Sequence, residues 1–391
     1  MKILIWDKSI ILKNCGGPAG YLWNMKQFIN KNPDDEISFY SDLVEKKDKK
    51  RVFFFSLLLL IITILRAKTL TKIISTYFTF GALSKREKKL IEKFDYVHFH
   101  SIASAHAYNK YIQKLGCKTI LTLHSPEPVI DEESAHNMRL KRFLCKYITV
   151  RNYFIKKEIM QLNECDYLMF PVPEALECYT NTSNLYNDFF SNSKTQSKTF
   201  FVPTCIPDME KVDRCNMIGK LKLPPAAKIL CYVGRHTTIK GYDYLKEIAI
   251  KLFEKDENIY VIVGGKEDGN KLLHDRWLEL GWVNTNQLIQ DVDVFILPNQ
   301  QTYFDLIALE IIRAGVPLVT TLTGGNKYLS KVNSGGISFI PNSNAKKAAE
   351  ILVEIINSNL NKAREKNREL FLSHFEYSIF VSKYKKTVSN L

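Results

Sequence analysis

Two successive series of short apolar runs, with turns after them and longer amphipathic stretches between several, limit what this chain can fold into more than any other feature. The first series is KILIW, EISFYS, YVHFHS, TILTLHS, DYLMFPV and TFFVPT; near residue 226 the pattern restarts with KILCYVG, IYVIVGG, DVDVFILP and VPLVTTL. Strands that alternate with helices pair in parallel and carry helices on both faces. Two series predict an α/β chain of two doubly wound, Rossmann-like domains facing each other across a cleft, with a linker near Val202–Asp208. Its 391 residues suit that count at about 100–200 residues per domain. Ligands of such sheets sit at the carboxyl ends of the strands. The polar stretch Asn181–Lys198 reads as a surface loop.

Charge narrows the partners. The net charge of +14 calls for something anionic: a phosphorylated ligand, an acidic membrane surface or nucleic acid. Residues 46–93 hold thirteen Lys or Arg against three Asp or Glu, and they enclose the uncharged run Val52–Leu65. Fourteen residues span only about 21 Å as a helix, short of the hydrocarbon core. Such a segment is either buried or interfacial, and its basic flanks favour an anionic membrane surface. No apolar run is long enough to cross a bilayer. Asp7 and Lys8 interrupt the opening apolar stretch before a signal-peptide core can form, so a cytoplasmic protein, peripheral on the inner membrane face, is expected. The eight scattered cysteines contain no C-x-x-C pair and read as reduced, buried thiols.

Four local patterns carry chemistry. In YVGRHTTIKG, a buried strand ends at Gly234, and Arg235 and Lys240 follow within one loop. Two cations there suit a diphosphate, since Arg grips bidentately and Lys adds a point charge. In QQTYFDLIALEIIRAG, Glu310 lies on an otherwise apolar helical pattern. It is either solvent-facing or a carboxylate for a ligand diol. LTGGN places Gly324, Gly325 and Asn326 where a strand gives way to a helix, and NCGGPAGY places Gly16 and Gly17 after the first strand. Each glycine pair is an ordinary turn or a backbone amide site for phosphate. His98, His100 and His124 close two strands; without metal-ligand spacing they read as hydrogen-bonding groups. G-x-S-x-G, Walker A and H-E-x-x-H patterns are absent.

The order of GG loop, strand-end His, G-R…K-G and F-D-L…L-E…A-G resembles the retaining glycosyltransferases of family 4, of GT-B fold. ECDYLMFPV, FVPTCIP, GWVNTNQLIQDVDVFILPN and SHFEYSIFVSKY extend the resemblance over nearly the whole chain. It implies an N-terminal acceptor-side domain over 1–205 and a nucleotide-sugar domain over 206–370. A helical segment over 371–391 then crosses back to the first. Carried over by motif, Arg235 and Lys240 hold the donor diphosphate, Glu310 the nucleotide ribose, and His124 the donor sugar. Gly16 and Gly17 line the donor site, Gly324 and Gly325 offer amides to phosphate, and Asn326 belongs to the donor-binding set. The first carboxylate of the family's E-x7-E motif is Thr302 here, with Gln301 and Asp305 close enough to take over polar contacts.

The expected activity is retaining transfer of a sugar from a nucleotide-sugar, a UDP-sugar favoured, to a hydroxyl of a glycan or lipid-linked acceptor. That fits cell-surface polysaccharide synthesis, with no metal or other cofactor. A non-catalytic GT-B partner of a glycosyltransferase is the second reading, prompted by Thr302. A nucleic-acid binder is the third, prompted by charge alone and lacking a recognition motif.

Overall fold

The computed structural model describes residues 1–8, 17–33, 36–44, 68–78, 81–135, 137–209, 216–265 and 271–391. Val52–Leu65 with its basic leader 46–51, and Gly16, lie outside these residues. The described chain divides into two compact units, Met1–Val202 with Lys385–Leu391, and Pro203–Tyr384.

The first unit is built on β1 (Ile3–Trp6), β2 (Ile37–Phe39), β3 (Tyr96–Phe99), β4 (Lys118–Thr122), β5 (Tyr167–Phe170) and β6 (Thr199–Phe201). They lie in the order β2-β1-β3-β4-β5-β6, and every pairing is parallel. All four residues of β1 and of β3 are buried, which is why these runs are apolar without alternation. The second unit repeats the plan with β7 (Lys228–Val233), β8 (Ile259–Gly264), β9 (Trp277–Glu279), β10 (Val294–Leu297), β11 (Leu318–Thr321) and β12 (Ile337–Ile340). Its order is β12-β11-β10-β7-β8-β9, again wholly parallel. Leu245, Ile248 and Leu252 of helix Tyr242–Lys255 meet Ala348 and Leu352 of helix Ala345–Ile356 in the core over this sheet.

In both sheets the strand order reverses beside the first strand, between β1 and β3 and between β7 and β10. The chain departs in opposite directions there, leaving a crevice at the carboxyl ends.

Some sequence expectations need correction. Residues 181–198 are mostly helical, Asn184–Ser191 and Ser193–Ser197, because Tyr186 and Phe190 recur at i, i+4 and bury. Cys145 is exposed, whereas Cys117, Cys165, Cys178, Cys205 and Cys231 are buried free thiols. Inside the first unit, the buried Glu158 carboxylate accepts from Tyr77 and Tyr186 hydroxyls and from the Val129 and Ile130 amides at 3.2 and 3.1 Å. Burial pushes its pKa up. The four donors fix the chain just beyond β4.

Candidate functional site

In the second unit, the loops after β7, β10 and β11 lock together at the reversal point. Gln300 and Gln301 donate their amides to the Ile239 carbonyl at 2.9 and 3.2 Å. Gly241 has φ +72, and a Cβ there would lie 1.8 Å from the Pro298 carbonyl oxygen, so only glycine lets the two loops meet. Thr320 and Thr323 hydroxyls donate to the carbonyls of Leu297 and Gln300 at 2.8 and 3.2 Å.

This scaffold brings Lys240 and Asp305 together across sixty-five residues. Lys240 Nζ lies 2.5 Å from Asp305 Oδ1, and Asn299 Nδ2 donates to Asp305 Oδ2 at 2.8 Å. Both charged side chains are largely buried. Burial alone would raise the Asp305 pKa, but Lys240, Asn299 and Thr302 outweigh it and hold the carboxyl below its usual value. The pair is ionised, and two of the three Lys240 N–H donors remain for other acceptors. Arg235, at the end of β7, is exposed. Its carbonyl is fixed by the Tyr232 hydroxyl at 2.8 Å, which sets the start of the loop.

Thr302 is fully buried, and the carboxylate beside Lys240 is that of Asp305. Gly324 has φ +44, and a Cβ on it would lie 1.9 Å from the Thr302 carbonyl oxygen. Gly325 donates its amide to that same carbonyl at 3.3 Å. The glycine pair admits the 302–304 loop, since a Cβ on Gly325 would lie 2.3 Å from the Tyr303 carbonyl oxygen. Asn326 is buried and donates to Thr320 Oγ1 at 2.8 Å and the Thr321 carbonyl at 3.2 Å, pinning the turn to β11. Glu310 sits half-buried on helix Leu306–Arg313. Burial raises its pKa, and the Arg313 charge one turn on opposes the rise.

Trp282 was not anticipated. Its side chain is 87% exposed on the turn after β9, where Gly265 donates to the Gly281 carbonyl at 2.7 Å. The neighbouring strand is anchored by Glu279, which accepts from Trp277 Nε1 at 2.8 Å and from the Tyr242 hydroxyl. The GW pair in GWVNTN was the available signal, since a large aromatic in a turn has no core to enter.

In the first unit, β3, β4 and helix Gly17–Lys31 converge on the histidines. Gly17, φ +75, opens that helix. Tyr21 one turn along packs 4.8 Å from the His124 ring and 5.6 Å from His100. His98 Nε2 is 2.8 Å from Thr122 Oγ1, and His100 Nδ1 is 3.0 Å from His124 Nε2. Burial lowers the pKa of His98 and His124 to about 3, and that of His100 well below 6.5, so all three are neutral. His100 Nε2 is buried with no partner among the described residues. An orphaned N–H is costlier than a bare ring nitrogen, which assigns the His100 proton to Nδ1. Nδ1–H then donates to His124 Nε2, and His124 carries its own proton on Nδ1. We expect ¹⁵N NMR to find His124 protonated at Nδ1 in the native protein and a mixed tautomer population in His100→Ala.

Residues 227–358 match the family described as glycosyl transferases group 1. An uncharacterized 41.2 kDa protein in the cps region of Klebsiella pneumoniae is 24% identical over 304 residues, 75% of this chain and 78% of that protein. The O-antigen biosynthesis glycosyltransferase WclY of Escherichia coli is 23% identical over 249 residues, 60% of this chain and 63% of WclY. Among solved structures, sucrose-phosphate synthase from Thermosynechococcus elongatus matches over 100% of both chains with TM-score 0.63 at 13% identity. HepE of Anabaena, in complex with UDP-glucose, matches over 100% of both chains with TM-score 0.62 at 14% identity. Residues 227–358 thus match the group 1 glycosyltransferase family, in a chain of GT-B fold.

Proposed function

We propose that this chain is a retaining glycosyltransferase of family 4, which moves a sugar from a UDP-sugar to a hydroxyl of a glycan or lipid-linked acceptor in cell-surface polysaccharide synthesis. The observation that carries the reading is the buried Lys240–Asp305–Asn299 group at the β7/β10 reversal, beside the exposed Arg235. Asp305 aims the ammonium group, and its remaining donors and the Arg235 guanidinium meet the diphosphate. Charge developing on the departing diphosphate is then stabilised by cations already in place. The bond from the sugar's anomeric carbon to the phosphate oxygen breaks as the acceptor oxygen bonds to the same face. The acceptor's proton passes to the departing phosphate oxygen. This chemistry asks for no protein nucleophile and no metal.

Glu310 accepts from the ribose hydroxyls, a role that suits a half-buried carboxylate with a raised pKa. Trp282 offers an aromatic face for the base. His124 Nδ1–H donates to a sugar hydroxyl. The UDP preference draws support from HepE, which was solved with UDP-glucose. The polysaccharide role draws support from WclY and the cps-region protein. The basic, apolar stretch within 46–93 supports a peripheral place on an anionic inner membrane face.

The test is transfer or hydrolysis of UDP-sugars, with Glu310→Gln and Thr302→Ala beside the native protein. Loss of a charge-assisted contact is expected to lower turnover about 10–100-fold in Glu310→Gln. Thr302→Ala is expected to cost less, since a hydroxyl makes the weaker contact. No turnover of any UDP-, GDP- or ADP-sugar by the native protein would favour the non-catalytic reading. Near-native turnover in Glu310→Gln would remove Glu310 from the donor site.

A further inference from the structure

We propose that the outer face of helices Met138–Lys146 and Ile148–Glu164 is a docking surface for an anionic lipid bilayer. It deepens the peripheral-membrane reading above, yet uses none of residues 46–67. From Met138 to Lys157 the chain carries seven Lys or Arg and no Asp or Glu. Arg139, Lys141, Arg142, Lys146 and Lys156 are exposed. Large apolar side chains are exposed among them: Phe143 46%, Tyr147 45%, Ile148 52% and Tyr153 50%. Phe143 and Tyr147 rings pack 4.8 Å apart, and Lys146 Nζ lies 5.4 Å above the Tyr147 ring, so cations and apolar groups form one mixed surface. On the second helix, Tyr153, Lys156 and Met160 form an exposed stripe, while Ile155, Glu158 and Leu162 face the core.

Water is a poor environment for such a face, and a bilayer interface is a good one. Aromatic and aliphatic groups enter the headgroup boundary while Lys and Arg stay at the phosphates. The charge selects the occupant. Arg151 is largely buried against Asp131, so a second copy of this face would bring five exposed cations against five, whereas an anionic surface neutralises them. A nucleic acid would use the cations and leave Phe143 and Ile148 without a role.

The probe is the full chain with vesicles of phosphatidylglycerol mixed with phosphatidylcholine, and of phosphatidylcholine alone. Cys145 lies within the patch and is exposed, so a polarity-sensitive fluorophore there, in a Cys15→Ser/Cys215→Ser background, reports contact directly. We expect a blue shift with the mixed vesicles only. Arg139→Ser/Lys141→Ser/Arg142→Ser/Lys146→Ser should bind about 10³-fold more weakly, at about fivefold per charge. Phe143→Ser/Ile148→Ser should also weaken binding. Unchanged melting and UDP affinity in both variants would show that the fold and donor site are intact. Three results overturn the proposal. One is indifference of the native chain to phosphatidylglycerol. Another is vesicle binding kept by both patch variants but lost when Lys46, Lys47, Lys49, Lys50 and Arg51 become Ser, which leaves the peripheral reading standing. The third is equal binding of a single-stranded oligonucleotide, with Phe143→Ser/Ile148→Ser silent toward vesicle and oligonucleotide alike.

Discussion

Lys240→Ala is expected to lower turnover about 10²–10³-fold, the range for removing one preorganised group that stabilises charge in a transition state. On the proposed reading the lost ammonium faces the diphosphate, so UDP affinity should fall with it. The same substitution strands Asp305. With Lys240 present, the carboxyl accepts at 2.5 Å from the ammonium and at 2.8 Å from Asn299. Without it, a largely buried carboxylate keeps only neutral donors, and breaking a buried pair this way costs about 3–5 kcal/mol. Lys240→Ala/Asp305→Asn should recover much of that stability and none of the turnover. A melting curve and a steady-state assay on the two variants separate these effects. Near-native turnover in Lys240→Ala would overturn the diphosphate assignment. Equal melting of the two variants would show that the ion pair contributes nothing to the fold.

Acid is expected to unfold the first unit from below pH 6.5. His98 and His124 titrate near 3 in the folded protein because burial opposes their charged forms, and His100 titrates well below 6.5 for the same reason. In the unfolded chain each titrates near its ordinary value of about 6.5. Between these limits the unfolded state binds more protons, so stability is full above 6.5 and falls as the pH drops toward 3. The slope is at most about 1.4 kcal/mol per pH unit for each histidine. Glu87 steepens the loss further down. Burial works against its charge, but bonds from Lys8, Tyr40 and Ser84 hold its pKa near 2, so its contribution fades between about 4.5 and 2. Hydrogen exchange of the β3 and β4 amides at pH 7.5, 6 and 5 measures this. His98→Gln should flatten the dependence. Exchange protection that is unchanged at pH 5 would mean the imidazoles are not held neutral by burial.

The parallel sheets were legible because their central strands are buried on both faces, which writes an apolar run directly into the sequence. β9 and β12 were not, since WLE and ISFI are short and partly exposed. Residues 181–198 were misread because Asn, Ser and Thr crowd around one Tyr186/Phe190 pair, and polarity concealed the helical spacing. At the site, Arg235, Lys240 and Glu310 could be singled out by residue type and motif. Their surroundings could not. Asp305 and Asn299 reach Lys240 only because β10 returns beside β7, a pairing that no local pattern states. The close packing of Gly324 and Gly325 is likewise invisible until the 302–304 loop lies against them.

The division of the chain also has a consequence for its synthesis. Residues 1–202 leave the ribosome first, but the first unit also includes residues 385–391. Lys385 pairs with Glu36, and the Tyr167 hydroxyl donates to the Leu391 carbonyl at 2.7 Å. The intervening 182 residues (203 to 384) take about 10–40 s to translate at about 5–20 residues per second. For that interval the nascent first unit stands without its final segment, so Glu36 lacks Lys385 and the Tyr167 hydroxyl lacks the Leu391 carbonyl. Codon usage across the second unit therefore sets how long an incomplete first unit is open to chaperones and proteases.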